Sequence, residues 1–432
     1  MPLIILFSKL ILATLKFFNL GSGSTWPGHI ALKLDKNIIK KIIAKNRRLK
    51  IIIIAGTNGK TTTTSLIKHT LRKLGYKVFS NEEGANLVNG VASTLINKAD
   101  FSGFLNFDYA LFEVDEFSFP LVFKELTPNV VILLNLFRDQ LDRYGEVNTI
   151  GLRWFKSLEA MSKDSILIVN GDDPYLSYSS VKLKCQKYYF GVSEKLMKIK
   201  NIPHDVDFIY CPNCQNLLDY RSISYAHLGN YSCKKCGFEN TKTEDYEKEK
   251  INYPVEGLYN IYNTHAALTL IKHLIKSKVD YNTVFSGFKP AFGRQEELVY
   301  KNKKVFILLS KNPAGFNQSI MSIKNILKNK KTNFLVVLND RIPDGRDVSW
   351  IWDVDFKILL NNADKIFVSG DRAYDMALRF KYEDKKTEVV ENLRQALEKA
   401  VNETSEKEKL YVLPTYSAML EIRKILVGRK FL

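Results

Sequence analysis

Two cysteine pairs and one glycine-rich turn carry most of the chemistry written into this sequence. Cys211 and Cys214 form one CxxC pair, Cys233 and Cys236 the other, with 18 residues between them. That is the spacing of a zinc ribbon, in which four thiolates close a tetrahedral shell. A closed shell leaves no open coordination position, so the expected zinc is structural. The turn is Gly56-Thr57-Asn58-Gly59-Lys60-Thr61-Thr62. It follows the apolar run KIIIIA (50–55) and opens a helical pattern that continues to about Leu74. Glycines let the backbone bring N–H groups onto phosphate oxygens, and a helix N-terminus adds partial positive charge. Lys60 is expected at the β- and γ-phosphates of a nucleotide, and Thr61 on Mg²⁺. The loop is shorter than GxxxxGK[ST], yet strand, turn and helix all sit where phosphate binding needs them.

Phosphate chemistry also needs carboxylates for the metal. Glu113 ends the run YALFEV, and Asp115 and Glu116 follow it. Asp139 and Asp142 lie in NLFRDQLDRYGE (135–146), after the run NVVILLN. NGDDP (170–174) ends the run SILIVN. Three successive apolar runs ending in polar clusters point at one crevice, because parallel sheets deliver ligand-binding residues at their carboxyl ends.

These runs imply a parallel sheet with helices on both faces. The rhythm breaks at 205–240 around the cysteines and resumes as a helix near 257–276. After FGRQEE (292–297) a second alternation begins, with strands expected at 304–310, 333–339, 365–370, 387–390 and 409–414. The fold class is therefore α/β. A short helical segment (1–48) precedes a nucleotide-binding domain (49–297) with its zinc-ribbon insertion (205–240). A Rossmann-like α/β domain (298–432) follows.

The bulk numbers fit this reading. The chain has 432 residues, 45% hydrophobic and 25% charged, enough for two or three domains with large cores. Net charge is +18, which favours anionic partners: nucleotide phosphates, nucleic acid or an anionic lipid surface. Five cysteines, four of them in metal-spaced pairs, argue against a disulfide framework and for a reducing compartment. The apolar start, MPLIILFSKLILATLKFF, is interrupted by Lys9 and Lys16. It lacks the run expected of a membrane span and the cleavage site of a signal peptide. An amphipathic helix fits it better, packed on the body or, as the second reading, lying on a membrane surface.

GTNGKTTTT, FEVDE, NLFRDQLDRYGE, NGDDP, GLYNIYNTHAA and FGRQE stand in the order seen in the Mur ligase family, and the resemblance covers roughly 45–432. It implies ATP-driven amide formation: a carboxylate is phosphorylated, an amine attacks, and phosphate leaves. It puts Gly56 to Thr62 on ATP, Thr61 and Glu113 on Mg²⁺, and Asn260 and Asn263 at the adenine and ribose. It sends Arg294 to the γ-phosphate, where a guanidinium neutralises charge on the transferring group. The departures narrow the resemblance. Only about 48 residues precede the phosphate-loop strand, too few for the family's UDP-sugar-binding domain. DHLD is replaced by DQLD. Lys311 in LLSKNPAGFNQ stands where His often stands. Lys156 is a poor match for the family's carbamylated lysine.

With the Cys₄ insert and DGRDVSWIWDVDF, these departures resemble the MurT-type branch, the ligase subunits of lipid II isoglutaminyl synthases. That implies amidation of the D-glutamate α-carboxyl of lipid II, in the cytoplasm, with a peripheral position at the inner membrane face. It also implies a partner, a GatD-like class I glutamine amidotransferase. Glutamine hydrolysis usually takes an activated cysteine, and Cys185 in KLKCQKYYF lacks a nucleophile turn. Asp353, with Asp355 next, is expected to complete the partner's catalytic triad. The other reading of those aspartates is a helix cap or an ion pair. Two alternatives remain open at this point. One is a stand-alone carboxylate–amine ligase. The other is a zinc-ribbon ATPase that binds nucleic acid through Tyr220, Arg221, Tyr225, Lys234 and Lys235.

Overall fold

Strand β1 (Lys50–Ala55) is apolar on both faces, and the fold is organised around it. Its Ile51 and Ile53 enter one core, and Ile52 and Ile54 enter another. The two-residue period of a strand makes this split unavoidable. The computed structural model describes residues 1–17, 25–81, 85–140, 145–275, 277–290, 294–328 and 330–428.

Three helices precede β1: α1 (Pro2–Phe17), α2 (Trp26–Leu34) and α3 (Ile38–Lys45). They are not a separate unit. Ile5, Ala31, Ile38, Ile39 and Ile42 are fully buried in the core of one sheet face. Then come α4 (Lys60–Lys73), β2 (Val78–Ser80), α5 (Val88–Lys98), β3 (Tyr109–Val114), α6 (Phe119–Leu126), β4 (Val130–Leu133), α7 (Val147–Leu158), β5 (Ile166–Asn170), α8 (Pro174–Ser180) and β6 (Gln186–Phe190). The six strands are parallel, in the order β2-β3-β1-β4-β5-β6. Register fixes the site: Ile54 pairs with Glu113, and Ala55 with both Val114 and Leu133. Leu133 pairs in turn with Val169, so the carboxyl ends of β3, β1, β4 and β5 stand in a row, with the polar clusters after β3, β4 and β5 at one edge of the sheet.

The hairpin β7 (Asp219–Tyr225) and β8 (Leu228–Ser232) carries the cysteine pairs. It lies against the sheet rather than projecting from it. Tyr225, Ala226 and Leu228 belong to the second core, with the apolar side of α9 (Leu258–Leu274).

After α10 (Tyr281–Phe285), the second sheet contains β9 (Arg294–Tyr300), β10 (Lys303–Leu308), β11 (Thr332–Val337), β12 (Ala363–Ser369), β13 (Glu388–Val389) and β14 (Lys409–Pro414). Its order is β13-β12-β11-β14-β10-β9, with only β9 antiparallel. β9 pairs with β10, so a boundary at 297 cuts through a strand of the second domain; the chain crosses over before Arg294. Sequence pattern missed β9 because RQEELVY reads as a charged linker. The helices α11 (Pro313–Leu327), α12 (Phe356–Leu360), α13 (Ala373–Lys381), α14 (Leu393–Glu403) and α15 (Tyr416–Val427) cover this sheet.

Candidate functional site

The phosphate loop is held from the end of β4. Thr57 N–H donates to Asn135 O at 3.1 Å. Asn58 N–H donates to Asn135 Oδ1 at 2.8 Å, and Asn135 Nδ2 donates back to Asn58 O at 3.0 Å. Thr57 Oγ1 accepts from Phe137 N–H at 3.0 Å. Asn135 is 3% exposed and clasps the loop from both sides. Sequence reading passed over it in favour of the aspartates later in the same motif. Gly59 has φ +90, and a Cβ there would lie 2.1 Å from Asn263 Oδ1. The glycine is required by both backbone conformation and close packing.

Asn58 also spans the two domains. Its side-chain amide exchanges hydrogen bonds with that of Asn312, at 3.2 and 3.1 Å. Asn312 in turn caps α11 through Gly315 N–H at 2.8 Å. A cleft lies over the loop, lined by Asn58, Gly59, Thr62, Tyr259, Asn263 and Lys311 among others. Asn263 reaches this cleft. Asn260 is 2% exposed and donates to Glu256 O at 2.6 Å, so its amide serves the start of α9. Gln295, at φ +59, ties β9 to that helix through Tyr259 Oη and Glu256 O at 2.9 and 3.0 Å. The neighbouring Arg294 lies on β9, and its side chain falls outside the described residues, as does Asp142.

Lys60 is the electrostatic centre. Its Nζ contacts Gly56 O at 2.5 Å and Glu116 Oε2 at 3.1 Å. A second pair, Lys311 with Asp139, joins the C-terminal domain to the crevice. Both carboxylates are buried, at 3% and 7% exposure. Burial raises the pKa of each. At Glu116, Lys60 and Lys311 outweigh it and hold the carboxyl below its ordinary value. At Asp139 burial dominates, Lys311 only partly offsets it, Glu116 adds like-charge repulsion, and the pKa is raised. Glu116 Oε1 and Asp139 Oδ1 are buried with no hydrogen-bond partner, as oxygens left over for a hard cation would be. Glu113 is buried at the end of β3, where Asn81 clasps its backbone N–H and C=O at 3.0 and 2.9 Å. Thr61 is half-buried beside Lys60.

Lys156 does not enter the site. It is exposed on α7, whereas Trp154, two positions earlier, is fully buried and donates Nε1–H to Glu116 O at 2.8 Å. Two residues on a helix differ by about 200°, so the side chains point oppositely.

Asp353 is 35% exposed at its side chain and pairs with Arg138 Nη1 at 3.3 Å; Arg138 also binds Asp207. Asp355 accepts from Lys357 N–H at 3.2 Å and caps α12. The ion-pair and helix-cap roles are thus both filled, one by each aspartate. Arg138, Asp139, Gln140, Lys311, Trp350 and Asp353 line a second cavity. Lys311 lines both cavities and forms part of the wall between them.

The four cysteine sulfurs lie within 4.8 Å of one another. Cys211 and Cys236 are 3.6 Å apart, Cys214 and Cys233 3.5 Å. Zn–S bonds of about 2.3 Å in a tetrahedron put sulfurs about 3.8 Å apart, so the set fits zinc. The knuckles match: Gln215 and Gly237 follow each pair at φ +62 and +74. Tyr220 and Tyr225, which nucleic-acid binding would need exposed, are 9% and 3% exposed. Cys233→Ser is expected to lose the metal in elemental analysis and lower the melting midpoint by about 5 °C or more. Unchanged metal content would remove zinc from this hairpin. Cys185 is buried in apolar core, its thiol pushed up by burial, the opposite of an activated nucleophile.

Parallel sheet, phosphate loop and a cleft closed by a second α/β domain define a Mur-type ATP-dependent ligase. Residues 54–271 match the Mur ligase middle domain, and residues 309–419 match the MurT ligase C-terminal domain. The chain belongs to the MurT ligase family. It is 33% identical over 433 residues to the lipid II isoglutaminyl synthase (glutamine-hydrolyzing) subunit MurT of Streptococcus pneumoniae, covering 95% of this chain and 94% of that one. The Staphylococcus aureus (strain COL) subunit of the same name is 33% identical over 413 residues, covering 92% and 91%. A pseudomurein peptide ligase type C from Methanothermus fervidus shares the fold, with TM-score 0.67 at 22% identity over 90% of this chain and 81% of that one.

Proposed function

We propose that this chain is the ligase subunit of a lipid II isoglutaminyl synthase. It amidates the D-glutamate α-carboxyl of the lipid II stem peptide to D-isoglutamine. The carboxylate oxygen attacks the γ-phosphorus of ATP, ADP leaves, and an acyl phosphate forms. Ammonia adds to the acyl carbon, the C–O bond to phosphate breaks, and the nitrogen gives up a proton to leave the amide. The observation that carries this reading is the pairing of Lys60 with Glu116 and of Lys311 with Asp139 at the mouth of the phosphate loop.

Gly56 to Thr62 would wrap the phosphates with backbone N–H groups, and Lys60 would meet the charge that builds on the transferring group. Arg294, at the start of β9, would approach from the second domain. Asn263 would border the nucleoside, with Asn260 behind it accepting from the Asn263 amide at 3.1 Å. Mg²⁺ would be held by Thr61 and Glu113, with the unpartnered oxygens of Glu116 and Asp139 in the same crevice, and would neutralise phosphate charge.

Ammonia comes from a partner, a GatD-like class I glutamine amidotransferase, because Cys185 is unsuited to the nucleophile's role. Asp353, in the lining of the second cavity, would orient the partner's histidine, with Asp355 the second choice. Amidation of lipid II with ATP is the direct test, with glutamine plus the partner in one arm and ammonium salt alone in the other. Carboxyl-to-amide conversion in the ammonium arm is expected from this chain alone. Addition of an amino acid instead would identify a stand-alone ligase, and no product in either arm would sink the reading.

A further inference from the structure

The N-terminal face of the central domain combines two features that its catalytic site does not use. The first is an apolar surface. Helix α1 buries Ile5 and Ser8 but exposes Leu3, Leu6, Phe7 and Leu10, Leu3 at 80%. The loop after α5 adds Phe101 and Phe104, exposed at 61% and 50%. These belong to one surface: Lys9 Nζ sits 5.2 Å from the Phe101 ring centroid and donates to Ala99 O. Exposed apolar side chains gathered on this scale mark a surface that something covers.

The second feature is charge. Residues 1–50 hold ten Lys and Arg against a single Asp, half of the chain's net +18 in about an eighth of its length. Lys45, Arg47, Arg48 and Lys50 are exposed at the end of α3. This basic end touches the same loop: Lys45 Nζ donates to Ser102 O at 2.8 Å, and Asn46 Nδ2 to Gly103 O at 2.9 Å.

We infer that this face is a docking surface for an anionic bilayer, with α1 lying along the interface and the basic end of α3 beside it. An apolar helix face inserts shallowly and a neighbouring basic cluster is drawn to acidic headgroups; stable peripheral binding generally needs two such signals together. No helix among the described residues is long and apolar enough to cross a membrane, so α1 lies on the surface. The charge favours a lipid surface over a second copy of this chain, whose equally basic face would repel it. This deepens the proposed function, since a lipid-linked acceptor is met at a bilayer, but vesicle binding does not depend on the acceptor's identity.

The test is co-sedimentation of the full chain with vesicles of equal parts phosphatidylglycerol and phosphatidylcholine, and with phosphatidylcholine alone. Binding is expected to the anionic vesicles only, and to weaken in high salt. Two variant sets guard against misfolding: Phe7→Asp with Leu10→Asp on the helix, and Phe101→Asp with Phe104→Asp on the loop. Each should weaken binding about tenfold or more. Each should also keep wild-type amidation of a lipid-free stem-peptide acceptor, an activity that disappears altogether if the proposed function is wrong. A wild-type chain that stays in solution with anionic vesicles would overturn the inference. So would binding unchanged in both variant sets, or variants that lose the glutaminase partner in size-exclusion chromatography while still binding vesicles.

Discussion

Lys60→Met should lower ATP-dependent amidation by about 100- to 1,000-fold, the usual cost of removing one donor from developing transition-state charge. The substitution does a second thing. Lys60 and Glu116 are 12% and 4% exposed at their side chains. Removing the cation leaves a buried carboxylate without its closest partner, at about 3–5 kcal/mol. Lys311 lessens this, because its charge also acts on Glu116. A poorly folded Lys60→Met would therefore be uninformative alone. The double variant Lys60→Met/Glu116→Gln removes both charges and should recover most of the lost melting temperature while staying inactive. Steady-state rates and thermal denaturation on the three proteins separate the effects. Near-wild-type turnover in the double variant would mean that Lys60 only neutralises Glu116 and does not act on the phosphates.

The same pair marks what could be read from the sequence. The phosphate loop is local: strand, glycines, lysine and helix lie within about 25 residues, and each imposes a constraint visible in residue type. Apolar runs located β1, β3, β4 and β5, because a strand buried on both faces must be apolar throughout. What the sequence does not display is pairing across distance. Glu116 rather than Glu113 meets Lys60, yet the two lie three residues apart at the end of one strand. Lys311 reaches Asp139 from another domain, across 172 positions. β6 was missed because QKYYF, at the sheet edge, is half polar.

The zinc ribbon shows the same limit. Its cysteines are unmistakable, but its relation to the ligase is not. Ser224 Oγ lies 2.8 Å from Tyr262 Oη, and Tyr262 donates to Asp172 at 2.7 Å. Burial pushes that aspartate's pKa up to about 7. Tyr225 reaches the cleft over the phosphate loop. The ribbon thus braces NGDDP and α9 together, which explains why an insertion stands between two motifs of the catalytic domain.

Asp353→Asn should separate the two nitrogen sources. With glutamine and the partner, amidation should fall by about 100-fold or more, as when a triad carboxylate becomes a neutral amide. With ammonium salt it should stay within about twofold of wild type, because the phosphate loop is untouched. Stability should also hold. The Arg138–Asp353 pair is about a third exposed on both sides, such pairs contribute about 1 kcal/mol or less, and Arg138 keeps Asp207. Asp355→Ala is the discriminating control. It removes the α12 cap at about 1 kcal/mol but is expected to leave both nitrogen sources usable. If Asp355→Ala alone lost glutamine-driven turnover, the two aspartates would exchange roles. If Asp353→Asn lost the ammonium reaction as well, its pairing with Arg138, next to Asp139, would have to be reread as part of the ligase site itself.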